Sequence, residues 1–409
     1  MKRNKIAIII ILAIIAGLHF AFLYAFYVHR EEGIQNPPAP AIIPQPPEPT
    51  VIAPPEKKKS NAPGYKKKTA ALPSSPSPGL TDGTSVDAPS KRIAAAEAAA
   101  QADPDMNPDA GTAPVPAPER VVSAAAPVSR NLDYSKAARG TLKAVPESKF
   151  VKSGILYDPA TNRVLWSTDP EARVPIASMT KMMTLLVALD MLSSRKDVSL
   201  DSSVTVSNTA VLVAPTHLGI HPGQQIPLEE LLKSMIIKSA NDSAQMVAEF
   251  LGSGSAENFV AIMNQKAAQL GMKSSHFYNP HGLPGKSARS DNVSTCEDLI
   301  LLAQRLLQYR QAATWVSTRM AKIGGFPQPV EVVNHNRLLS SQACPGVNGV
   351  KTGFTQRAGF CITVNCVRGP NRLIAVFTGV PSSKVRDAVA SKMLNWGFKR
   401  KAVLDTRKF

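Results

Sequence analysis

The sequence predicts an α+β fold in which helices are inserted between the strands of one antiparallel sheet. Two strand-like segments, residues 154–158 and 164–166, open the foldable part of the chain and are separated by a turn-forming Asp-Pro-Ala-Thr-Asn sequence. Three more strand-like segments lie near the C-terminus, and helical periodicity dominates between the two groups. Strands and helices segregated in this way are typical of α+β proteins. We therefore expect a five-stranded sheet whose first and last strands are neighbours, flanked by helices, with a helical subdomain inserted.

The individual elements are predicted from apolar spacing and from turn signals. Segment 204–213 alternates only weakly and fits a strand or a loop, whereas segment 277–283 is expected to be a loop. The last three strands are expected to start at residue 349 and to cover 360–366 and 373–379. Helices are expected over residues 175–192, 228–237, 244–251, 256–270, 296–308 and 382–396.

The first of these helices carries Ser178 and Lys181, three residues apart near its start. Pro175 is tolerated in a first helical turn, and the apolar run through Leu192 has no polar face, so the helix is expected to be buried. A serine hydroxyl becomes a useful nucleophile when a base lies nearby, and a lysine kept neutral by its surroundings can be that base. Ser-x-x-Lys alone is a common pattern that also fits a capped helix with a solvated lysine.

The N-terminal residues 1–30 are predicted to form a cytoplasmic tip and a transmembrane anchor. Basic residues precede an apolar run over residues 6–28, which as a helix spans about 34 Å and exceeds the roughly 30 Å of a bilayer core. The run ends in aromatic residues rather than in the small residues of a cleavage site, so we expect it to stay uncleaved. The basic N-terminus favours a cytoplasmic tip, with the rest of the chain in the periplasm or another extracytoplasmic space.

Residues 31–132 are predicted to be a disordered linker, and residues 133–409 the folded domain. Most of the 34 prolines of the chain precede residue 149, and such composition buries too little apolar area to offset the entropy of ordering. The net charge of +17 favours anionic partners in general. No zinc-finger spacing, recognition helix or aromatic–basic repeat indicates nucleic acid as a partner.

The cysteines and histidines do not suggest a metal or cofactor site. The spacing of Cys296, Cys344, Cys361 and Cys366 suits no metal centre, and the last two are expected on opposite faces of a strand. Buried free thiols are favoured over a disulfide. The seven histidines do not cluster with carboxylates at ligand spacing.

Three short motifs occur in a plausible order and spacing: Ser-x-x-Lys at 178–181, Ser-x-Asn at 239–241 and Lys-Thr-Gly at 351–353. In this combination the chain resembles the low-molecular-weight penicillin-binding proteins, which are serine D-alanyl-D-alanine carboxypeptidases. The resemblance covers about residues 148–398 and implies a β-lactamase/transpeptidase-like fold. The Asn-Pro-His-Gly-Leu segment at 279–283 also resembles the family.

The resemblance and elementary acyl-transfer chemistry assign the same catalytic roles. Ser178 is expected to be the nucleophile, and Lys181 its base, kept neutral by burial and by the charge of Lys351. Ser239 is expected to relay a proton to the leaving amine. The Asn241 amide is expected to hold both Lys181 and a substrate carbonyl.

The substrate-binding residues are implied mainly by the family resemblance. The backbone N–H groups of Ser178 and Phe354 are expected to form the oxyanion hole. Gly353 is expected to leave room for an extended substrate beside its strand. The substrate's terminal carboxylate is expected to meet Lys351, Thr352, Thr355 and Arg386.

The predicted function is a membrane-anchored D-alanyl-D-alanine carboxypeptidase that trims peptidoglycan stem peptides and is inhibited covalently by β-lactams. The same motifs fit an endopeptidase that acts on wall cross-links. A β-lactamase is disfavoured because no Glu-x-x-x-Asn sequence lies between residues 241 and 351. A non-catalytic penicillin-sensing module fits the anchor and linker but does not need a nucleophile.

Overall fold

The computed structural model describes residues 131–406, which contain one large sheet, three small two-stranded sheets and the surrounding helices. The strands are β1 (Ala138–Arg139), β2 (Ser153–Asp158), β3 (Arg163–Thr168), β4 (Val174–Pro175), β5 (Ser203–Thr205), β6 (Gln225–Pro227), β7 (Val293–Ser294), β8 (Met320–Ile323), β9 (Val330–Val333), β10 (Val347–Thr355), β11 (Gly359–Arg368) and β12 (Asn371–Val380). The α-helices are α1 (Lys181–Ser194), α2 (Leu228–Ile237), α3 (Asn241–Leu251), α4 (Ala256–Leu270), α5 (Cys296–Leu306), α6 (Arg310–Ser317) and α7 (Ser383–Thr406).

The large sheet has six strands in the order β1-β3-β2-β12-β11-β10, so the predicted number of five is wrong. Five of the strands pair antiparallel as expected, and the sixth, β1, pairs parallel with β3. A strand of two residues is too short to produce a period-two pattern in the sequence. The prediction that the first and last strands meet is confirmed, because β2 pairs with β12, with Tyr157 opposite Ile374.

The sheet separates two hydrophobic cores. Side chains alternate between its faces, so Ile155 and Tyr157 of β2 pack into the helical core, while Leu156 packs into the core on the other face. Helices α1 to α6 contribute to the first core, and residues such as Met393 of α7 to the second. The result is a three-layer α+β arrangement with α1 inside the helical layer.

Helix α1 is buried over almost its whole length, as its apolar sequence predicts. Its predicted start at Pro175 is wrong. Pro175 lies in β4 and is paired with Val293, and a 3₁₀ turn over Ala177–Thr180 precedes the α-helix. Ala177 has φ of +46°, a left-handed conformation that prevents the helix from extending towards Pro175.

The other helices were predicted with mixed accuracy. Helices α2 and α4 have the predicted bounds, whereas α3 begins at Asn241, three residues before the predicted start at residue 244. Helix α6 and the β8–β9 hairpin were not predicted. Their short segments have too few residues to establish a period.

The predicted transmembrane helix and almost all of the predicted linker lie outside the described residues. Within residues 131–406, no helix combines the length and apolarity needed to cross a bilayer. The four cysteines all lie within the described part and are buried free thiols, as predicted.

Candidate active site

The turn that carries Ser178 is held from two sides by glycines of distant segments. A Cβ on Gly353 of β10 would lie 3.0 Å from the Ile176 carbonyl oxygen and 3.2 Å from the Met179 nitrogen. A Cβ on Gly282 would lie 2.0 Å from the Ala177 carbonyl oxygen. Because any other residue would push against this backbone, both glycines permit the close approach that fixes the Ser178 turn.

The contact at Gly353 corrects the predicted role of this residue. The sequence suggested that its missing side chain leaves room for substrate. The structure shows instead that the room is occupied by the turn over Ala177–Thr180, against which β10 packs. Strand β10 is at the edge of the large sheet, so an additional strand can still pair along it.

Lys181 lies at the start of α1 and is fully buried. Its Nζ donates to Ser178 Oγ at 3.2 Å, to Asn241 Oδ1 at 2.6 Å and to the His281 carbonyl oxygen at 2.7 Å. Burial, together with the charge of Lys181, lowers the pKa of His281 to about 3, so its imidazole is neutral. The neutral ring accepts a hydrogen bond at Nδ1 from the Leu283 N–H at 3.1 Å, which orders the loop that supplies the carbonyl.

Ser239 and Asn241 lie where α2 ends and α3 begins. Ser239 has φ of +67°, and among the described residues its buried Oγ has no hydrogen-bond partner. A strained residue with an unsatisfied hydroxyl is a feature of functional sites rather than of structural turns. The Asn241 side chain donates through Nδ2 to the Pro215 carbonyl oxygen, which orients Oδ1 towards Lys181.

These elements surround a cavity of about 360 Å³. Most of the predicted site residues line it: Ser178, Ser239, Asn241, Thr352, Gly353, Phe354, Thr355 and Arg386. The other two, Lys181 and Lys351, are buried and do not line it. The three motifs therefore meet at one site although they are separated by 60 and more residues in sequence.

The sequence motifs do not identify several of the residues that line the cavity. Strand β9 and the segment after it contribute residues 331–335 and Arg337, and Lys238 and Phe360 also line the cavity. The rings of Phe354 and Phe360 stack at 4.2 Å and form an apolar wall. Lys238 lies next to the Ser-x-Asn motif, and Phe360 pairs with Phe354 beside the Lys-Thr-Gly motif. Gly282 and Leu283, which also line the cavity, belong to the Asn-Pro-His-Gly-Leu segment. These four residues had a sequence signal nearby, whereas residues 331–335 and Arg337 had none.

The charged side chains that line the cavity are mostly cationic, with Lys238, Arg337 and Arg386 beside the single carboxylate of Glu331. Burial, with a contribution from the charge of Arg386, lowers the pKa of Lys351 to about 7. Burial and the charges of Lys351, Arg386, Lys181 and Lys238 lower the pKa of His335 to about 3. Several cations therefore act on the same small volume, which suits an anionic ligand.

Arg386 lies near the start of α7 and is only 4% exposed. Its Nε and Nη2 contact Asp387 Oδ1 at 2.8 and 2.7 Å, so the neighbouring carboxylate orients the guanidinium. A guanidinium carries five N–H donors, so these two contacts leave donors for a carboxylate in the cavity. Within residues 131–406, no group of three or more histidine, cysteine, aspartate or glutamate side chains could hold a metal ion.

The comparisons with known proteins agree with this geometry. The D-alanyl-D-alanine carboxypeptidase family model matches residues 142–382, more than half of the chain. D-alanyl-D-alanine carboxypeptidase DacF of Bacillus subtilis is 35% identical over 248 residues, which cover 60% of this chain and 62% of the relative. The chain thus spans about three fifths of the length of the first curated relatives it matches.

Solved structures match the same region. The D-alanyl-D-alanine carboxypeptidase of Mycobacterium tuberculosis matches with a TM-score of 0.57 and 26% identity, over 66% of this chain and 96% of that chain. Penicillin-Binding Protein D2 of Listeria monocytogenes in its cefotaxime-bound form matches with a TM-score of 0.54 and 25% identity, over 61% of this chain and 97% of that chain. The fold is that of the penicillin-binding proteins and DD-transpeptidases, and the chain belongs to the D-alanyl-D-alanine carboxypeptidase family.

Proposed function

We propose that this protein is a membrane-anchored serine D-alanyl-D-alanine carboxypeptidase that acts on peptidoglycan stem peptides through an acyl-enzyme on Ser178. The observation that carries the proposal is the 3.2 Å contact between Lys181 Nζ and Ser178 Oγ at the edge of a cationic cavity. It joins a nucleophile to a base at the point where an anionic peptide end can bind.

In the first step, Ser178 Oγ attacks the carbonyl carbon of the penultimate D-alanine while Lys181 takes the hydroxyl proton. The hydrogen bonds from Lys181 to Asn241 and to the His281 carbonyl oxygen hold the amine in place for this transfer. The backbone N–H groups of Ser178 and Phe354 are assigned to the oxyanion of the tetrahedral intermediate. Fixed donors of this kind stabilise the developing charge without reorganising.

In the second step, the tetrahedral intermediate collapses to the acyl-enzyme and the terminal D-alanine leaves as an amine. We assign to Ser239, which lines the cavity, the relay of the proton from Lys181 to the leaving amine, so that Lys181 is neutral again. Water then attacks the ester carbonyl while Lys181 takes one of its protons. The bond to Ser178 Oγ breaks, and Lys181 returns that proton to Oγ.

Recognition of the terminal carboxylate is assigned to Thr352, Thr355 and Arg386, which line the cavity. Lys351 is buried behind the cavity wall, and its positive charge is expected to attract the same carboxylate. A carboxylate near Lys351 would favour the ammonium form and offset the cost of burying it.

Relatives support the expectation that β-lactams acylate this site. The Listeria monocytogenes neighbour has been solved with cefotaxime bound, and we transfer to Ser178 the expectation of a covalent complex with such compounds. Because no Glu-x-x-x-Asn sequence lies between residues 241 and 351, we expect the acyl-enzyme formed with a β-lactam to be released slowly.

The proposed location is the cytoplasmic membrane, with the catalytic domain in the periplasm or another extracytoplasmic space. The support is the apolar run over residues 6–28 behind a basic N-terminus and the Pro-rich segment that follows it. Fractionation of cells that express the full chain tests the location. Extraction by alkaline carbonate without detergent would argue against a membrane-spanning helix.

The test of activity uses the purified full chain in detergent, beside its Ser178→Ala variant. The wild type is expected to release D-alanine from a pentapeptide that ends in D-Ala-D-Ala and to be labelled by fluorescent penicillin. The variant is expected to do neither while keeping its circular dichroism spectrum. A well-folded wild type that releases no D-alanine and takes up no label contradicts the proposal.

Two further substrates separate the alternatives. Cleavage of purified cross-linked muropeptides with little release of D-alanine from the pentapeptide would identify an endopeptidase. Rapid turnover of a chromogenic β-lactam would identify a β-lactamase. Normal cellular function of the Ser178→Ala variant would identify a binding module.

A further inference from the structure

Two of the four cysteines lie together on the face of the large sheet opposite the active-site turn. Cys344 precedes β10 and Cys366 lies in β11, and both are buried in the core that includes α7. The backbone joins the two segments, since Cys366 is opposite Val347 in the sheet and the Val367 N–H donates to the Gly346 carbonyl oxygen at 2.8 Å.

The two thiols share one polar environment. Cys366 Sγ donates to the Pro345 carbonyl oxygen at 3.5 Å, next to Cys344. Arg368 donates through Nη2 to Cys344 Sγ at 3.4 Å and through Nε to the same Pro345 carbonyl oxygen at 2.9 Å. The Pro345 carbonyl oxygen and the Arg368 guanidinium therefore lie against both cysteine segments.

The environment favours ionisation of one thiol over the other. The interaction with Cys366, with further contributions from Arg368 and Ser391, lowers the pKa of Cys344 to about 7 against the cost of its burial. The interaction with Cys344 and burial raise the pKa of Cys366. Cys344 is thus the thiol that can attack at neutral pH, and Cys366 is the neighbouring thiol that can resolve a mixed disulfide.

We infer that Cys344 and Cys366 are a dithiol site that closes to an intramolecular disulfide when it meets an external disulfide oxidant. This inference is independent of the proposed peptidase activity. It also assigns a function to the buried but polar surroundings of the pair, which the active site does not use.

The reaction is an ordinary thiol–disulfide exchange. The Cys344 thiolate attacks one sulfur of the external disulfide and releases the first thiolate. Cys366 then loses its proton and attacks Cys344 Sγ, which forms the internal disulfide and releases the second thiolate. The two cysteines lose two electrons, and the oxidant becomes two thiols.

Access to the buried sulfur requires only a local displacement. Gln342, Ala343, Pro345 and Gly346 around Cys344 are exposed, so Cys344 lies directly beneath a surface loop. The closed ring would contain the whole Lys-Thr-Gly motif, because that motif lies between residues 344 and 366. Oxidation would therefore link the loop just before β10 covalently to β11.

The chain contains a matched control in Cys296 and Cys361. These two thiols are also buried and close enough for their charges to interact, but burial raises the pKa of Cys296 to about 12 and that of Cys361 to about 11. Cys296 Sγ lies 3.1 Å from the Ser153 hydroxyl, which is not a cation. We expect this pair to remain reduced under conditions that oxidise the first pair.

The test equilibrates the reduced full chain with oxidised glutathione as the probe, followed by denaturation, alkylation and peptide mass spectrometry. The expected product has lost two hydrogen atoms, links the Cys344 and Cys366 peptides, and carries alkylated Cys296 and Cys361. Recovery of Cys344 and Cys366 as alkylated thiols, or in links to other cysteines, would overturn the inference.

Single variants test the order of attack. Cys366→Ala is expected to accumulate glutathione on Cys344, because no resolving thiol remains, whereas Cys344→Ala is expected to react much more slowly. If Cys366 in Cys344→Ala is glutathionylated faster than Cys344 in Cys366→Ala, then Cys366 is the attacking thiol and the inference is overturned. Cys296→Ala serves as the control and should still form the link.

Arg368→Gln tests the electrostatic part separately from folding. Its oxidation at pH 7 should be slower by about three- to tenfold, because less thiolate is present, and the difference from wild type should vanish well above the thiol pKa. If Arg368→Gln and the wild type oxidise at the same rate at every pH, Arg368 does not promote ionisation of Cys344.

Discussion

Lys181 and Lys351 are both buried lysines of the same site, and their surroundings differ. Lys181 donates to a hydroxyl, a side-chain amide and a backbone carbonyl that come from three separate segments. Lys351 donates to the Thr352 carbonyl oxygen at 3.1 Å and lies in the field of Arg386. One lysine is positioned by acceptors, and the other is buried close to a like charge.

The difference indicates a division of labour between the two amines. A base must be held within reach of the proton that it takes, which the contacts of Lys181 provide. A group that recognises an anion gains most when the ligand removes an existing electrostatic cost, which the burial of Lys351 provides. Each role predicts its own loss of function when the side chain is changed.

Replacing Lys181 by Met should remove the base while filling the same volume. We expect the rate of acylation by fluorescent penicillin to fall by about 10³-fold or more, because Ser178 loses its proton acceptor. Stopped-flow or gel labelling measures the rate, and Lys273→Met, at an exposed lysine, is the control. Acylation of Lys181→Met at near wild-type rate would mean that another group is the base.

Ser239 offers a test that separates chemistry from backbone strain. Ser239→Ala and Ser239→Gly both remove the hydroxyl and should both lower kcat for D-alanine release by about 100-fold if it relays the proton. Only the glycine variant relieves the left-handed backbone, so it should be more stable than the alanine variant by about 1 kcal/mol. Urea denaturation measures that difference. If both variants keep the wild-type kcat for D-alanine release, Ser239 does not relay the proton.

Lys351→Met should weaken recognition of the terminal carboxylate while sparing the attack itself. We expect kcat/KM for the pentapeptide to fall by about 100-fold. The same ratio in the wild type should decline as pH rises above about 7, because the free enzyme loses the Lys351 proton there, and the variant should lack this decline. A methyl ester of the peptide should be much less sensitive to the substitution.

The same variant should be more stable than the wild type at neutral pH. The pKa of Lys351 is about 7 in the folded protein against an ordinary lysine value of 10.5, so the unfolded chain binds more protons between those two values. Wild-type stability should therefore rise with pH across this window. The advantage of Lys351→Met, on the order of a few kcal/mol below pH 7, should shrink towards pH 10. A constant advantage would contradict the low pKa.

Gly353→Ala should have the smallest effect of the series and should act on Ser178 through the turn over Ala177–Thr180. The added Cβ lies 3.0 Å from the Ile176 carbonyl oxygen, so the Ser178 turn must shift by a few tenths of an ångström. We expect acylation to slow by about tenfold, since catalytic geometry is sensitive to such shifts. Gly324→Ala is the matched control, because a Cβ on Gly324 would lie 3.7 Å from its nearest neighbour, Glu230 Oε2, which is an ordinary van der Waals distance.

The sequence was sufficient for the parts of the fold and site that depend on local patterns. The apolar run of α1, the bounds of α2 and α4 and the three motifs all follow from spacing within a few residues. The approach of Lys181 to Ser178 follows from their separation by three residues, and it survives although the helix begins later than predicted.

The parts that the sequence did not predict depend on tertiary contacts. The role of Gly353 is decided by the distant Ser178 turn, and the wall formed by residues 331–335 depends on a hairpin of four-residue strands. The position of Lys351 beneath the cavity wall also depends on packing around β10. None of these features has a period or a motif that identifies it in one sequence.

The two glycine contacts at the Ser178 turn have a consequence for biosynthesis. Gly282 and Gly353 are translated about 100 and 175 residues after the serine whose backbone they fix, so the geometry of the turn depends on almost the entire domain. A nascent or prematurely terminated chain that ends before β10 would carry the hydroxyl without the assembled turn. The proposed acylation of Ser178 is thus reserved for chains in which β10 has already been made.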